Sequence, residues 1–377
     1  MQLSVIILNY NVRYFLEQCV FSVQKALENI DGEIILIDNN SSDDSCLMMK
    51  EKFPDIKLIE NKENVGFPKG NNIGVAEAKG EYLCILNPDT VVAEDTFIKI
   101  LNSKLQTPNS KLGIVGCKLI DGTGNFLPES KRGVPTPWVA FTKIFGLYKV
   151  SNFFGKYYVQ HLTENQSGKV DILVGAFMIL KRDLYTQVGG FDENCFMYSD
   201  DIDLSYMVLK LGKENYYFHE TSVIHYKGES TVRDGLYMKR FREAMQFFYK
   251  KHFKKSAIFD VMMKVGSFAF SIVKKNQQKT EKKVIDEYIV FSKDELTLNL
   301  NSKIIYLSDF KQFNNDFVKS IEIIFDTNSF SFKDIIAFME KKKASNITFK
   351  NYISSSNYLI GSNNSNDRGE VIQEITN

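Results

Sequence analysis

Four short apolar runs alternate with stretches of helical period at the start of this chain, and no other feature restricts its fold as much. The runs are Leu3–Leu8, Glu33–Asp38, Phe53–Glu60 and Tyr82–Leu86. Between the first two, Leu16, Val20, Val23 and Leu27 recur on one face of a helix. Strands and helices alternating at this spacing predict β-α-β units and a mostly parallel sheet. Right-handed crossovers bring the strand ends to one edge, so Asn9, Asp38 and Asp89 should lie together. In an open α/β sheet that edge is where ligands bind.

The fourth run carries the most chemistry. It enters from Gly80 and breaks at Asn87-Pro88, because proline cannot donate to a sheet ladder. Asp89 and Thr90 follow at once. A carboxylate there can hold a divalent cation, and the cation a diphosphate; the plainer alternative is a cap for a helix starting near Asp95. Asp38 suits the hydrogen-bond donors of a nucleotide base or ribose, or else caps the polar loop Asn39–Asp44. The glycines of Asn64–Gly74 permit close backbone approach to a ligand. Neither the dinucleotide fingerprint nor a P-loop is present.

A second focus lies further on. Val170–Leu180 is strand-like and contains Gly175-Ala176, small enough for a substrate to approach the backbone. Asp200, Asp201 and Asp203 then crowd the start of an apolar helix. A helix N-terminus stabilises acids, but one or two suffice for capping. Crowding of three raises one pKa and prepares a general base. The strand from His219 ends in His225, one of four histidines; it is a candidate metal ligand, although a lone histidine is more often structural.

A length of 377 residues allows two or three domains. A net charge of +1 argues against a nucleic-acid partner. Five scattered cysteines form no disulfide or zinc pattern, which points to a reducing compartment. The N-terminal run lacks the basic flank of a signal peptide and reads as a strand. No apolar run of ~20 residues predicts a membrane span. Gly113–Leu119 reads as a strand. The aromatic-rich stretch Leu127–His161, with Trp138, reads as a mobile or acceptor-facing insertion, or a packed surface excursion. From Lys239 to Lys283 lysine and arginine dominate, with Met245, Phe248 and His252 on one helical face. Such helices lie on anionic membranes, or pack on a domain with a solvated basic face. Beyond a linker ending at Val284, strands at Lys303–Leu307, Ile321–Phe325 and Ile347–Phe349 and a helix at Phe332–Lys343 predict a small α/β domain.

With these residues in place the chain resembles the family 2 glycosyltransferases, in particular their rhamnosyltransferase-like branch. The resemblance rests on Val5–Asn11, Ile37–Asp43, Asn64–Phe67 with Gly70–Gly74, Leu86–Thr90, Gly189–Glu193, Ser199–Leu204 and His225–Ser230, and covers roughly residues 1–250. It implies a GT-A fold with a mostly parallel sheet in residues 1–238. The basic amphipathic segment 239–283 and the α/β domain 284–377, of unknown role, would follow. It further implies a nucleotide-diphosphate-sugar donor (dTDP-rhamnose or a UDP-sugar), Mg2+ or Mn2+, and inversion. The acceptor would be a hydroxyl of a cell-surface polysaccharide or lipid-linked saccharide, reached from the cytoplasm at the inner face of the membrane. Carried over by position, Asp89 and His225 would hold the metal and Asp38 the base. Asn9, Asn11, Asn40, Gly66, Asn71, Asn87 and Gly175 would bind the nucleotide sugar. Asp201 would deprotonate the acceptor. Asp200 stands where the family usually has Glu, which leaves open which of the two reaches it. A non-catalytic nucleotide-sugar sensor or assembly scaffold is the rival reading. The enzymatic reading predicts that Asp89→Ala and Asp201→Asn abolish transfer with the fold retained; normal transfer by either variant would remove that residue from the mechanism.

Overall fold

The computed structural model describes residues 1–105, 111–136, 139, 157–227, 235–253, 284–296, 298–314, 319–363 and 369–373. The chain opens with β1 (Leu3–Asn9), α1 (Arg13–Leu27), β2 (Gly32–Asp38), α2 (Ser45–Lys52), β3 (Lys57–Glu60), α3 (Phe67–Ala76) and β4 (Tyr82–Leu86). β1, β2, β3 and β4 are mutually parallel in the order β3-β2-β1-β4. All seven residues of β1 and all five of β4 are buried. Helices cover both faces of such a sheet, which is why these strands read as unbroken apolar runs.

Then come β5 (Thr90–Val91), α4 (Thr96–Ile100), β6 (Leu112–Ile120), β7 (Gly168–Val170), β8 (Phe177–Lys181), α5 (Arg182–Gln187), α6 (Asp200–Lys210), β9 (Glu214–His225) and α7 (Gly235–His252). They extend the sheet as β4-β8-β6-β9-β5, with β7 added on β9. β8 runs antiparallel to both neighbours, while β6 and β9 are parallel. The sheet is therefore mixed, with a parallel half that carries Asn9 and Asp38 and a second half that carries His225.

Several expectations shift in detail. The third strand begins at Lys57, because Phe53 closes α2 and Pro54-Asp55 make the turn. The strand expected over Val170–Leu180 is two, β7 and β8, broken around Gly175. Gly70 and Gly74 serve packing rather than a ligand. A Cβ on Gly70 would stand 2.4 Å from Leu8 Cδ1, and one on Gly74 2.3 Å from Ile37 Cδ1, so these glycines let α3 lie close on β1 and β2. In α7, Met245 and Phe248 are buried in a cluster with Ile172 and Ile202. The described part of the basic segment thus packs on the sheet domain; residues 254–283 lie outside the described residues. Among the described residues no helix is long and apolar enough to cross a membrane.

The last part of the chain builds a second sheet from β10 (Glu287–Phe291), β11 (Lys303–Leu307), β12 (Ile321–Asp326), α8 (Phe332–Lys342), β13 (Ile347–Ile353), β14 (Tyr358–Ser362) and β15 (Glu370–Gln373). Its order is β11-β10-β12-β13-β14-β15, parallel over the first four strands and antiparallel over the last two. β10, β14 and β15 are additional to the strands expected from sequence. The two sheets share a core: Val12, Phe15, Val91, Ala93, Ile120, Ile224 and Tyr226 cluster with Phe332, Ile335, Ile336, Met339 and Ile360. Glu94 caps α8 across the boundary, accepting from the backbone N–H of Phe332 and of Lys333, both at 2.8 Å. Lys333 answers with an ion pair to Asp95 at 2.8 Å. Glu94→Ala should lower stability by about 1–2 kcal/mol in urea denaturation; an unchanged midpoint would mean that water replaces the cap.

Candidate active site

The strand ends of the first sheet meet a cleft of 350 Å³. Of the residues singled out in the sequence, Gly66, Asn87, Gly175, Asp200, Asp201 and His225 line it. Beside it lies a polar cluster at the ends of β1 and β2. Asp38 is buried and accepts from Asn9 Nδ2 at 2.7 Å, Ser41 Oγ at 2.6 Å and Ser41 N–H at 2.8 Å. Asn11 accepts from Ser42 N–H at 2.7 Å. Asn40 is exposed beside them. Asn71 is buried and turns its amide back to the Phe67 carbonyl at 2.9 Å, away from the cleft surface.

Asp89 does not cap the helix at Asp95. It starts the turn into β5, which pairs with the end of β9 so that Thr90 faces His225. The Tyr226 N–H donates to the Asp89 carbonyl at 3.0 Å. This brings Asp89 Oδ1 within 3.4 Å of His225 Nε2, with Asn87 Nδ2 also 3.4 Å from that nitrogen. Both residues are buried, and His225 Nδ1 has no hydrogen-bond partner. A carboxylate oxygen and an imidazole nitrogen so close, with the other ring nitrogen unengaged, suit a shared cation. They supply two donors only, which leaves room for oxygens from a ligand and water. Among the described residues no group of three or more His, Cys, Asp or Glu side chains forms a metal site.

The second focus is the start of α6. Asp201 Oδ2 receives Arg132 Nη2 at 2.6 Å and the Gly175 N–H at 3.0 Å. Burial opposes the charge on Arg132, but Asp201 outweighs it and holds the guanidinium ionised. Asp200 differs. Its Oδ1 is buried without a partner, and burial, reinforced by the Asp201 charge, raises its carboxyl to about 7. One acid of the pair is neutralised by a cation and the other is poised near neutrality, a division that sequence could not show. Asp203 takes no part in the cleft: Lys251 Nζ at 2.8 Å and His252 Nε2 at 2.5 Å bind it, fastening α7 to α6.

The two foci are joined by the backbone before β8. The Asn87 N–H donates to the Ala176 carbonyl at 3.1 Å, while the adjacent Gly175 N–H reaches Asp201. A Cβ on Gly175 would sit 3.3 Å from Asp201 Cβ and 3.6 Å from Asp200 Oδ2. Four of the six non-glycine residues described with left-handed backbone border the site: Asn11, Asn40, Tyr198 and Lys227. For Tyr198 and Lys227 this conformation costs roughly 1–2 kcal/mol, and such strain gathers where packing must aim side chains.

Arg132, Glu129, Phe196 and Arg240 also line the cleft and were not expected there from sequence, and Lys227, inside the His225–Ser230 motif, joins them. Lys227 pairs with Glu129. Arg240 stacks 4.6 Å from the centre of the Phe196 ring. The only sequence trace of the first two is the charged run Glu129–Arg132 inside a largely apolar stretch. Arg132 reaches the cleft from that stretch; its residues 137, 138 and 140–156 lie outside the described residues.

A sheet of this order, with a polar cleft at its strand ends, has the arrangement expected of a GT-A fold. Residues 4–189 match the family model described as Glycosyl transferase family 2. The chain is 26% identical over 243 residues to an N-acetylglucosaminyl-diphospho-decaprenol L-rhamnosyltransferase of Mycobacterium tuberculosis, covering 62% of this chain and 78% of that protein. It is 27% identical over 224 residues to the rhamnosyltransferase WbbL of Escherichia coli, covering 54% of this chain and 78% of that protein. Among solved structures, the mannosyltransferase PcManGT from Pyrobaculum calidifontis, in complex with GDP-Man and Mn2+, superposes with a TM-score of 0.48 at 17% identity, covering 74% of this chain and 76% of that one. The match to glycosyltransferase family 2 covers residues 4–189, and relatives to which the chain is similar include rhamnosyltransferases.

Two outcomes follow from the acid pair. Asp201→Asn removes the carboxylate that pairs with the buried Arg132 and should lower stability by about 3–5 kcal/mol in urea denaturation; an unchanged midpoint would leave the fold-neutral loss of transfer expected from sequence in place. Asp200→Asn should do the opposite. The folded protein disfavours ionised Asp200, so its charge destabilises the native state increasingly as pH rises from the ordinary carboxylate range to about 7, and fully above it. The variant should therefore gain more melting temperature at pH 8 than at pH 5; equal gains would mean that Asp200 titrates normally.

Proposed function

We propose that this enzyme moves a sugar, with inversion, from a nucleoside-diphosphate donor to a hydroxyl of a saccharide acceptor, using Asp200 as general base. The observation that carries the reading is the division of labour between two carboxylate foci joined through Gly175 and Ala176. Asp89 and His225 would hold a divalent cation, Mg2+ or Mn2+, which when bound neutralises the charge growing on the leaving diphosphate. The chain's own residues do the rest. Asp38, held rigid by Asn9 and Ser41, offers its edge to the nucleotide base. Gly66, with φ of 84°, and Gly175 keep the floor low for the sugar. Arg132 fixes Asp201 and so fixes the first turn of α6. Asp200, with a free oxygen and a raised pKa, accepts the proton of the attacking hydroxyl, a contribution of roughly 10²–10⁴ in rate.

The donor is dTDP-rhamnose or a UDP-sugar, the former favoured by the rhamnosyltransferases among the relatives. The acceptor is a lipid-linked saccharide, the class that the mycobacterial relative's name describes. The work would be done at the inner face of the cytoplasmic membrane. The apolar face of α7 is used internally and is not free to meet that membrane.

Nucleotide release from a panel of UDP-, dTDP- and GDP-sugars, with Mg2+, Mn2+ or chelator, tests this reading. One donor should be turned over, chelator should stop it, and Asp89→Ala should be inactive. With acceptor present, kcat should rise through pH about 7 as Asp200 loses its proton, and Asp200→Asn should lose at least about 10² in rate. Turnover undiminished by chelator, or a flat pH profile, would overturn the assignment.

A further inference from the structure

The second sheet packs against the one place in the first where the metal-site side chains are brought together. Asp89 and His225 approach each other only because β5, two residues long, pairs with the last residues of β9. A two-residue edge pairing has little stability of its own. Its apolar neighbours are not supplied by the first sheet alone. Val91, Ala93, Ile224 and Tyr226 are buried in the cluster that contains α8 and β14. Tyr226 is the link. It directly follows His225, and its N–H fixes Asp89. Its ring lies 5.1 Å from Phe15 in an edge contact, and its hydroxyl faces Asn351 Nδ2 of β13 at 3.5 Å. The turn at Gly122 closes the other side: a Cβ there would stand 2.9 Å from Tyr226 Cδ1 and 2.7 Å from Ser362 Cβ of β14.

We propose that Tyr226, wedged between Phe15 and the second sheet, is a positioning residue for the Asp89–His225 pair, so that cation affinity in this enzyme depends on residues 284–373. The proposal rests on the reading of that pair as a cation site. It gives the second sheet a role in the reaction without a ligand of its own: it is the back wall of the metal site. Removing the Tyr226 ring frees the backbone that carries His225 and Asp89, and the donors lose their mutual distance without being altered themselves. Outer partners of metal ligands typically matter at the level of tenfold or more in affinity.

The test is Mn2+ binding to the full-length chain, followed by electron paramagnetic resonance, alongside the metal dependence of donor turnover. Asp89→Ala should abolish binding; if it binds as the parent does, the cation reading itself fails. Tyr226→Leu should weaken Mn2+ about tenfold, with kcat recovered at saturating Mn2+. Gly122→Ala, which pushes on the same ring from the side of β14, should act in the same direction, and it carries the test if Tyr226→Leu does not fold. Leu359→Ala is the control. It cuts into the apolar cluster on the far face of the second sheet, with Tyr288, Val290 and Ile324; it should lower the melting temperature and leave Mn2+ affinity unchanged. Unaltered affinity in both Tyr226→Leu and Gly122→Ala would overturn the proposal. So would an equal loss in Leu359→Ala, because the effect would then be one of stability alone.

Discussion

The proposed cation site hangs on a pairing of two residues with two. Thr90 and Val91 meet His225 and Ile224 at the outer edge of the first sheet, and that contact turns two distant side chains into neighbours. Neither is placed by its local sequence. Asn87-Pro88 ends β4 and frees the chain to cross to β9; β9 runs long enough to meet it. A sheet edge is normally a liability, because its open hydrogen-bond groups invite other strands. Here the edge is covered by α8 and β14, and the covered edge is also the wall of the cleft.

At the other focus an ion pair makes the distinction that chemistry needs. Asp200 and Asp201 are adjacent in sequence and would be equivalent in water. Arg132 arrives from the segment before β7 and takes Asp201, leaving Asp200 desolvated beside a fixed negative charge. Two like acids are thereby given different environments, the kind of arrangement that the proposed division of roles needs. Gly175 belongs to this arrangement, since its N–H is the second donor to Asp201.

What sequence revealed and what it hid divide along one line. Strands buried on both faces announce themselves as apolar runs, and the acids at their ends are visible because proline, asparagine and glycine interrupt the runs. The sheet and its ligand edge were legible for that reason. Partners brought from far along the chain were not. Nothing near Asp203 announces Lys251 and His252, and nothing near Asp201 announces Arg132. The glycines of α3 misled in a different way: Gly66 has the positive φ expected of a ligand loop, whereas Gly70 and Gly74, in the same motif, answer only the need of a helix to lie close on β1 and β2. The short strand β10 was hidden because it follows a lysine-rich stretch with no turn signal to mark its start.

The shared core has a consequence for how the chain is made. Contacts that finish the first sheet come from its far end: Lys25 donates to the Thr327 carbonyl, and the Tyr358 hydroxyl to that of Tyr14, across 302 and 344 positions. During synthesis the first sheet must therefore wait, with Val91, Ile224 and Tyr226 uncovered, until the residues of α8 and β14 have been made. For that interval it presents an apolar sheet edge to its surroundings, the kind of surface on which nascent chains aggregate or recruit chaperones.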